Sequence, residues 1–400
     1  MLQKRMVQLM LFVFLGQGVP LSATPPFYNR WQTFDVSDGL PSNKVFCVYA
    51  TDSEVWAGTD NGLVRWDGKE WRTYNTRDGL AHRVVMAIAQ DPNTGDLWFA
   101  TLGGVSRFSG GRFDTFTQLN SGLTNDVVYG LTVANGEVWA ATAAGASRYE
   151  IGRNRWTLYD ETNTPMHEIW CYSAASCGDK VYLAVWGGGL LEFSRSKKRW
   201  KDYRDPDGEM EIDLFRNDGL VHDVVSSVAC DDSGVVWVGT YFGLSTYDGR
   251  KWLNFMDHDP PVGGLVSNFI NFVTTHDGMG WIATDNGLNA TDRKHWWTYQ
   301  RDPETGRGIV LWAPADAPQE RIEIETIFPH NYIFGISFQG DDIWLATGEG
   351  LARGWRAEQQ VESSSLPDSP RKRVLGRPTR AQELNDLLGK GFDDGVQSDD

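Results

Sequence analysis

The sequence predicts an all-β fold, a seven-bladed β-propeller of four-stranded antiparallel blades, with the last blade closed by the N-terminal strand. A composition, a repeat and an orphan strand carry that prediction. The 400 residues include Trp 18, Phe 19, Tyr 13 and Gly 43. Aromatic residues favour strands and glycine favours tight turns. The pattern Trp-x-x-Thr-x-x-Gly recurs from Trp56, Trp98, Trp139, Trp237, Trp281 and Trp344. A degenerate copy, Tyr182 to Val185 followed by Gly189-Leu190, makes a seventh. Successive copies lie 42, 41, 43, 55, 44 and 63 residues apart. A period slightly above 40 with short strands is that of four-stranded propeller blades.

The elements follow in chain order. Lys4 and Arg5 precede the apolar stretch Met6 to Gly16, and Leu21-Ser22-Ala23 offers a cleavage site. Residues 1–23 therefore read as a secretory signal peptide, too short to span a membrane. Its removal takes the net charge from −16 to −18. Residues 24–355 are the propeller. Each unit opens with an apolar strand a, such as Val45-Phe46-Cys47-Val48. Strand b holds Trp-x-x-Thr, and strand c starts at the Gly that follows. Strand d reads aromatic-x-x-aromatic, as in Trp71/Tyr74, Phe113/Phe116 and Trp252/Phe255. The seventh unit lacks strand d, and Trp31-Gln-Thr-Phe34 supplies an orphan one. Pairing the two closes the ring and removes exposed sheet edges. Residues 356–400 turn polar and read as a mostly disordered tail. Within it, residues 380–390 could form a short helix carrying Leu384, Leu387 and Leu388.

The pattern resembles the two-component regulator propeller repeats. Gly39-Leu40-Pro41-Ser42-Asn43, Leu97-Trp98-Phe99-Ala100-Thr101 and Gly62-Leu63-Val64-Arg65-Trp66-Asp67-Gly68 carry the likeness, over about residues 30–355. The resemblance implies a periplasmic sensor-type propeller that binds a glycan or another extracellular ligand. The chain shows no transmembrane helix, kinase or second extracellular domain beside its repeats.

Composition narrows the partners. Lys+Arg 37 against Asp+Glu 53 leaves an acidic surface, which disfavours nucleic acid. No phosphate loop or haem motif is present. His167-Glu168 begins like a zinc-protease motif, but its fifth position is Cys171 in a strand.

The propeller brings the d-to-a and b-to-c connections to one face around the central channel. Two residues after each Gly-Leu turn stand Ser42, His82, Asn125, His222 and Ser267, with His167 and His330 assigned by spacing. The next position holds Asn43, Arg83, Asp126, Glu168, Asp223, Asn268 and Asn331. These rings suit turn capping, and they also offer ligands for a metal ion or acid–base groups. The b-to-c loops add Trp186, Tyr241 and Phe242, on which a sugar or apolar ring could stack. Two insertions, Arg204 to Asn217 and Arg301 to Phe328, are expected to rise from the same face, the second bearing Trp312. Cys171 and Cys177 flank a hairpin turn and could form a disulfide, whereas Cys47 reads as a buried thiol.

The sequence thus predicts a periplasmic or secreted module recognising a glycan or small-molecule ligand. The alternatives are a scaffold for an envelope protein partner, with the tail as tether, or a lyase or hydrolase using the histidine ring. No cofactor is predicted beyond that optional metal ion, and no membrane span.

Overall fold

The structure is a computed structural model and describes residues 28–208, 217–257, 264–315 and 318–356. The expected signal peptide, residues 1–23, and the expected tail with its 380–390 segment lie outside these residues.

The described strands form seven antiparallel sheets. The innermost strands a are Val45–Ala50, Val85–Gln90, Val128–Ala134, Cys171–Cys177, Val225–Cys230, Ile270–His276 and Ile333–Gln339. Each packs against the next, and the seventh against the first. That cyclic order makes a seven-bladed ring around a channel. Blade one continues through Val55–Thr59, Gly62–Trp66 and Trp71–Tyr74, and the other blades repeat this order outward.

Blade seven closes as expected. Its outermost strand is Tyr28–Phe34, antiparallel to Gly350–Arg356, with Trp31 opposite Gly354 and Phe34 opposite Leu351. Phe34 stacks on Trp344 at 5.7 Å, as Tyr74 stacks on Trp56 and Phe116 on Trp98, both at 5.6 Å. The orphan strand therefore does the packing of a strand d.

The repeat motif has a local chemical cause. The Thr101 hydroxyl donates to the Gly104 carbonyl at 2.7 Å and accepts the Gly103 N–H at 3.1 Å. Thr59, Thr142, Thr240, Thr284 and Thr347 donate in the same way at 2.7 or 2.8 Å. Gly104 has φ +121°, and a Cβ there would lie 2.4 Å from the Phe116 carbonyl oxygen of strand d. Only glycine tolerates both demands. The motif tryptophans are fully buried between blades. Arg65, Arg107 and Arg353 lie over Trp56, Trp98 and Trp344 at 5.4–5.6 Å, and pair with Glu54, Asp96 and Asp342.

Blade six departs from expectation. The insertion after its strand d is not a loop over the channel. Gly308–Ala313 and Glu320–Ile324 extend the blade to six strands on its outer side. Trp312 pairs with Trp297 across that added ladder, so it sits at the rim and not at the channel mouth. The cause is apolar patterning: Val310, Ile322 and Ile324 are buried in one cluster with Trp297 and Tyr299.

The cysteine pairing also differs. Cys177 bonds to Cys230, across 53 residues of sequence, and joins the inner strands of blades four and five. Cys171 and Cys177 stand at the two ends of one seven-residue strand. At about 3.3 Å per residue, they are too far apart to bond. Cys47 and Cys171 are buried free thiols, which burial pushes up to about 12.

Candidate functional site

One hydrogen bond fixes the geometry of the channel mouth seven times. The residue before each strand a offers its carbonyl to the b-to-c loop. The pairs are Asp60–Lys44, Leu102–Val84, Ala143–Val127, Trp186–Trp170, Tyr241–Val224, Asp285–Phe269 and Gly348–Tyr332, donor first, at 2.9–3.3 Å. Trp186 and Tyr241 thus occupy equivalent places on neighbouring blades.

The first polar ring is built of turn caps. Ser42, His82, Asn125, His222, Ser267 and His330 each accept the backbone N–H two residues on, at 2.8–3.2 Å. A ring nitrogen that accepts carries no proton. The neutral imidazoles of His82, His222 and His330 therefore hold their proton on Nε2, as donors. Burial, followed by the charge of Arg83, holds His82 below the ordinary histidine range. His222 is 5% exposed and lies 4.0 Å from the Phe242 ring.

The second ring fastens strand d to the next blade. Asn43, Asp126, Asp223, Asn268 and Asn331 accept the N–H of Val36, Gln118, Asp205, Asp257 and Arg301 at 2.6–2.9 Å. Asp223 is 8% exposed and also meets Arg204 Nε at 3.2 Å.

Blade four breaks this scheme. Gly104, Gly189 and Gly243 donate to the carbonyls of Asp126, Asp223 and Asn268, but Gly145 donates to Ile169. Ile169, not Glu168, therefore holds the second position. Glu168 holds the first, three residues before Cys171, and His167 lies one place out of the ring. The spacing that assigned His167 is corrected by this register. Buried Met166 takes the place of the usual Gly-Leu leucine. His167 and Glu168 are exposed, and Trp170 is 42% exposed.

The b-to-c turn of blade four is also irregular. Val185 replaces the threonine, and Trp186-Gly187-Gly188 makes the turn one residue longer. Lacking the hydroxyl, it closes with Gly187 at φ +68° and a Gly188 N–H donated to Val185. Glu168 lies against this turn: its Cγ is 3.7 Å from where a Gly187 Cβ would stand. Arg204 donates to the Gly187 carbonyl at 3.0 Å.

A further ring was not foreseen. Every strand a carries a register shift just inside its start. The bulged residues are Phe46, Met86, Tyr129, Tyr172, Ser226, Asn271 and Phe334. A bulge re-aims its side chain. Here the re-aimed rings of adjacent blades meet: Tyr129 stacks on Tyr172 at 4.6 Å, and Phe46 meets Phe334 at 5.6 Å. Tyr172 reaches Trp186 at 5.1 Å, and Trp186 meets Tyr241 perpendicularly at 4.5 Å. Tyr241 continues to Phe269 at 5.6 Å. An aromatic wall thus runs across blades three to six.

Residues 219–242 match the family model described as two component regulator propeller. Those residues carry one copy of a two-component regulator propeller repeat. Solved structures share the fold. The extracellular domain of a hybrid two-component system from B. thetaiotaomicron aligns at 19% identity and TM-score 0.61, over 82% of this chain and 42% of that one. The extracellular domain of a one-component system from the same organism aligns at 18% and 0.61, over 84% and 44%. A catalytically inactive virginiamycin B lyase from Staphylococcus aureus, solved with quinupristin, aligns at 12% and 0.57, over 82% and 99%. This chain spans less than half the length of those two extracellular domains. No curated protein matches the sequence.

Against the repeat, the expected site residues divide. The structure brings together Trp186, Tyr241, Phe242 and His222, with Glu168 beside them. His82 and Arg83 lie on blade two and His330 on blade seven, away from the aromatic wall. Among the described residues, no three His, Cys, Asp or Glu side chains converge as a metal site. No described helix is long and apolar enough to cross a membrane.

Proposed function

We propose that this protein is an exported, sensor-type propeller that binds a glycan or small extracellular ligand at the channel mouth of blades four and five. One observation carries this reading. The wall from Tyr129 through Tyr172 and Trp186 to Tyr241 lies outside the aromatic positions that build the blades, and it crosses blade four, whose channel-face turns break the repeat. Planar rings at a channel mouth give stacking area, and nearby polar groups fix orientation. Departures from a repeat concentrate where a rigid scaffold presents function. The resemblance of the repeat to sensor regions supports the same reading.

A thermal-shift screen of glycans and metabolites against the mature chain tests it. A ligand at saturating concentration should raise the melting temperature by several degrees. Trp186→Ala should remove the shift while leaving the unliganded melting curve nearly unchanged. A panel without hits, or hits indifferent to Trp186→Ala and Tyr241→Ala, would count against the site.

A further inference from the structure

We infer that the ligand of this mouth is a small organic cation, of the quaternary-ammonium or amine class. The inference rests on the ligand-binding reading and adds the charge of the ligand. Three features point to it.

The first is ring geometry. Trp186 and Tyr241 stand at 84° with centroids 4.5 Å apart, and Tyr172 flanks Trp186 at 5.1 Å, tilted 37°. Perpendicular rings form a corner rather than a flat platform. Tyr241 is 6% exposed and backs the partly exposed Trp186, whose electron-rich face is the surface on which a cationic head can rest.

The second is Glu168. At its ring position the other blades place Ser, His or Asn, and each caps the following turn. A one-residue change of spacing puts a carboxylate here instead. Among the described residues it caps nothing, it is exposed, and it lies against the turn directly after Trp186. A carboxylate on the segment that packs against the turn after Trp186 is the complement of an ammonium group.

The third is the charge around the mouth. The b-to-c loops contribute Asp60, Asp285 and Glu349, and no Lys or Arg. Among the described residues, Arg204 pairs with Asp223, Lys44 lies over Phe46 on blade one, and Arg83 stands on blade two. An acidic mouth draws cations toward the corner.

The test titrates the full chain with tetramethylammonium, choline and the neutral tert-butyl analogue of choline, read by tryptophan fluorescence and calorimetry. Choline should bind about tenfold more tightly than its neutral analogue. Glu168→Gln, at an exposed position, should close most of that gap, and Trp186→Ala should abolish binding. Equal binding of choline and its analogue would overturn the inference, as would a preference unchanged in Glu168→Gln or no binding of either cation up to about 10 mM. A neutral oligosaccharide arm separates the two claims. Trp186-dependent sugar binding without cation binding removes the cation and keeps the site. Binding of neither class removes both.

Discussion

A hydroxyl and an absent side chain make the tightest turn in every blade but the fourth. Thr101 bonds to both ends of the turn, and Gly104 passes within reach of the Phe116 carbonyl. Gly104→Ala places a Cβ where φ is +121° and where oxygen already stands at 2.4 Å. It should destabilise the protein by about 2–3 kcal/mol, measured by chemical denaturation. The same change at Gly110, which has open space around its Cβ, is the control and should cost less. A Gly104→Ala loss no larger than the control's would show that the turn yields. This demand is local, so Thr-x-x-Gly was legible in the sequence. The caps were legible as polar residues at a turn, and the structure shows the bonds they make. The bulge ring was not legible. A bulge is a property of pairing between strand a and strand b, and Tyr129 and Tyr172 look like ordinary strand residues. His167 was misplaced because Met166 replaces the marker leucine and hides the register.

At the scale of an element, blade four is the irregular member. Tyr182 stands at the tryptophan position, and its charge pair is reversed. Where Arg65 pairs with Glu54, here Glu192 pairs with Lys180 at 2.9 Å. Glu192 also accepts the hydroxyls of Tyr182 and Tyr203 at 3.0 and 2.8 Å. Burial alone would raise the Glu192 carboxyl, but these donors outweigh it and hold it below the usual range. The substitutions compensate each other, which keeps the blade in the ring. Its inner strand is also covalently tied to blade five by Cys177–Cys230. A loop of 53 residues closed in the unfolded chain corresponds to about 4 kcal/mol in the chain-entropy account. Replacing both cysteines by serine should cost about 2–4 kcal/mol in thermal denaturation. Reductant should lower the wild-type melting temperature and leave that of the double variant unchanged. If reductant shifts both equally, the bridge is not the source of the loss. Sequence spacing offered only Cys171–Cys177 as a pair because nearness along the chain was visible and nearness between blades was not.

At the scale of the molecule, the ring holds only if its two ends meet. The seam is the pairing of Tyr28–Phe34 with Gly350–Arg356 in blade seven. Phe34 concentrates the seam in one side chain. It stacks on Trp344 at 5.7 Å, meets Trp71 edge-on at 5.4 Å, and approaches Trp66 at 6.4 Å. It therefore joins blade seven to blade one as well as strand to strand. Phe116 makes the equivalent stack on Trp98 at 5.6 Å in blade two, away from the seam. Truncating either ring to alanine removes a similar packed aromatic, at about 3–5 kcal/mol. The two variants should differ in where they open. Phe34→Ala frees a strand that is continuous with the blade only through this pairing, so amide exchange should rise first in Tyr28–Phe34 and Gly350–Arg356. Phe116→Ala sits between strands joined by short turns, and its exchange should rise in blade two while blade seven stays protected. Hydrogen exchange with mass spectrometry reads both patterns. If Phe34→Ala raised exchange evenly around the ring, the seam would not be the place where the ring first opens, and closure would act through global stability alone.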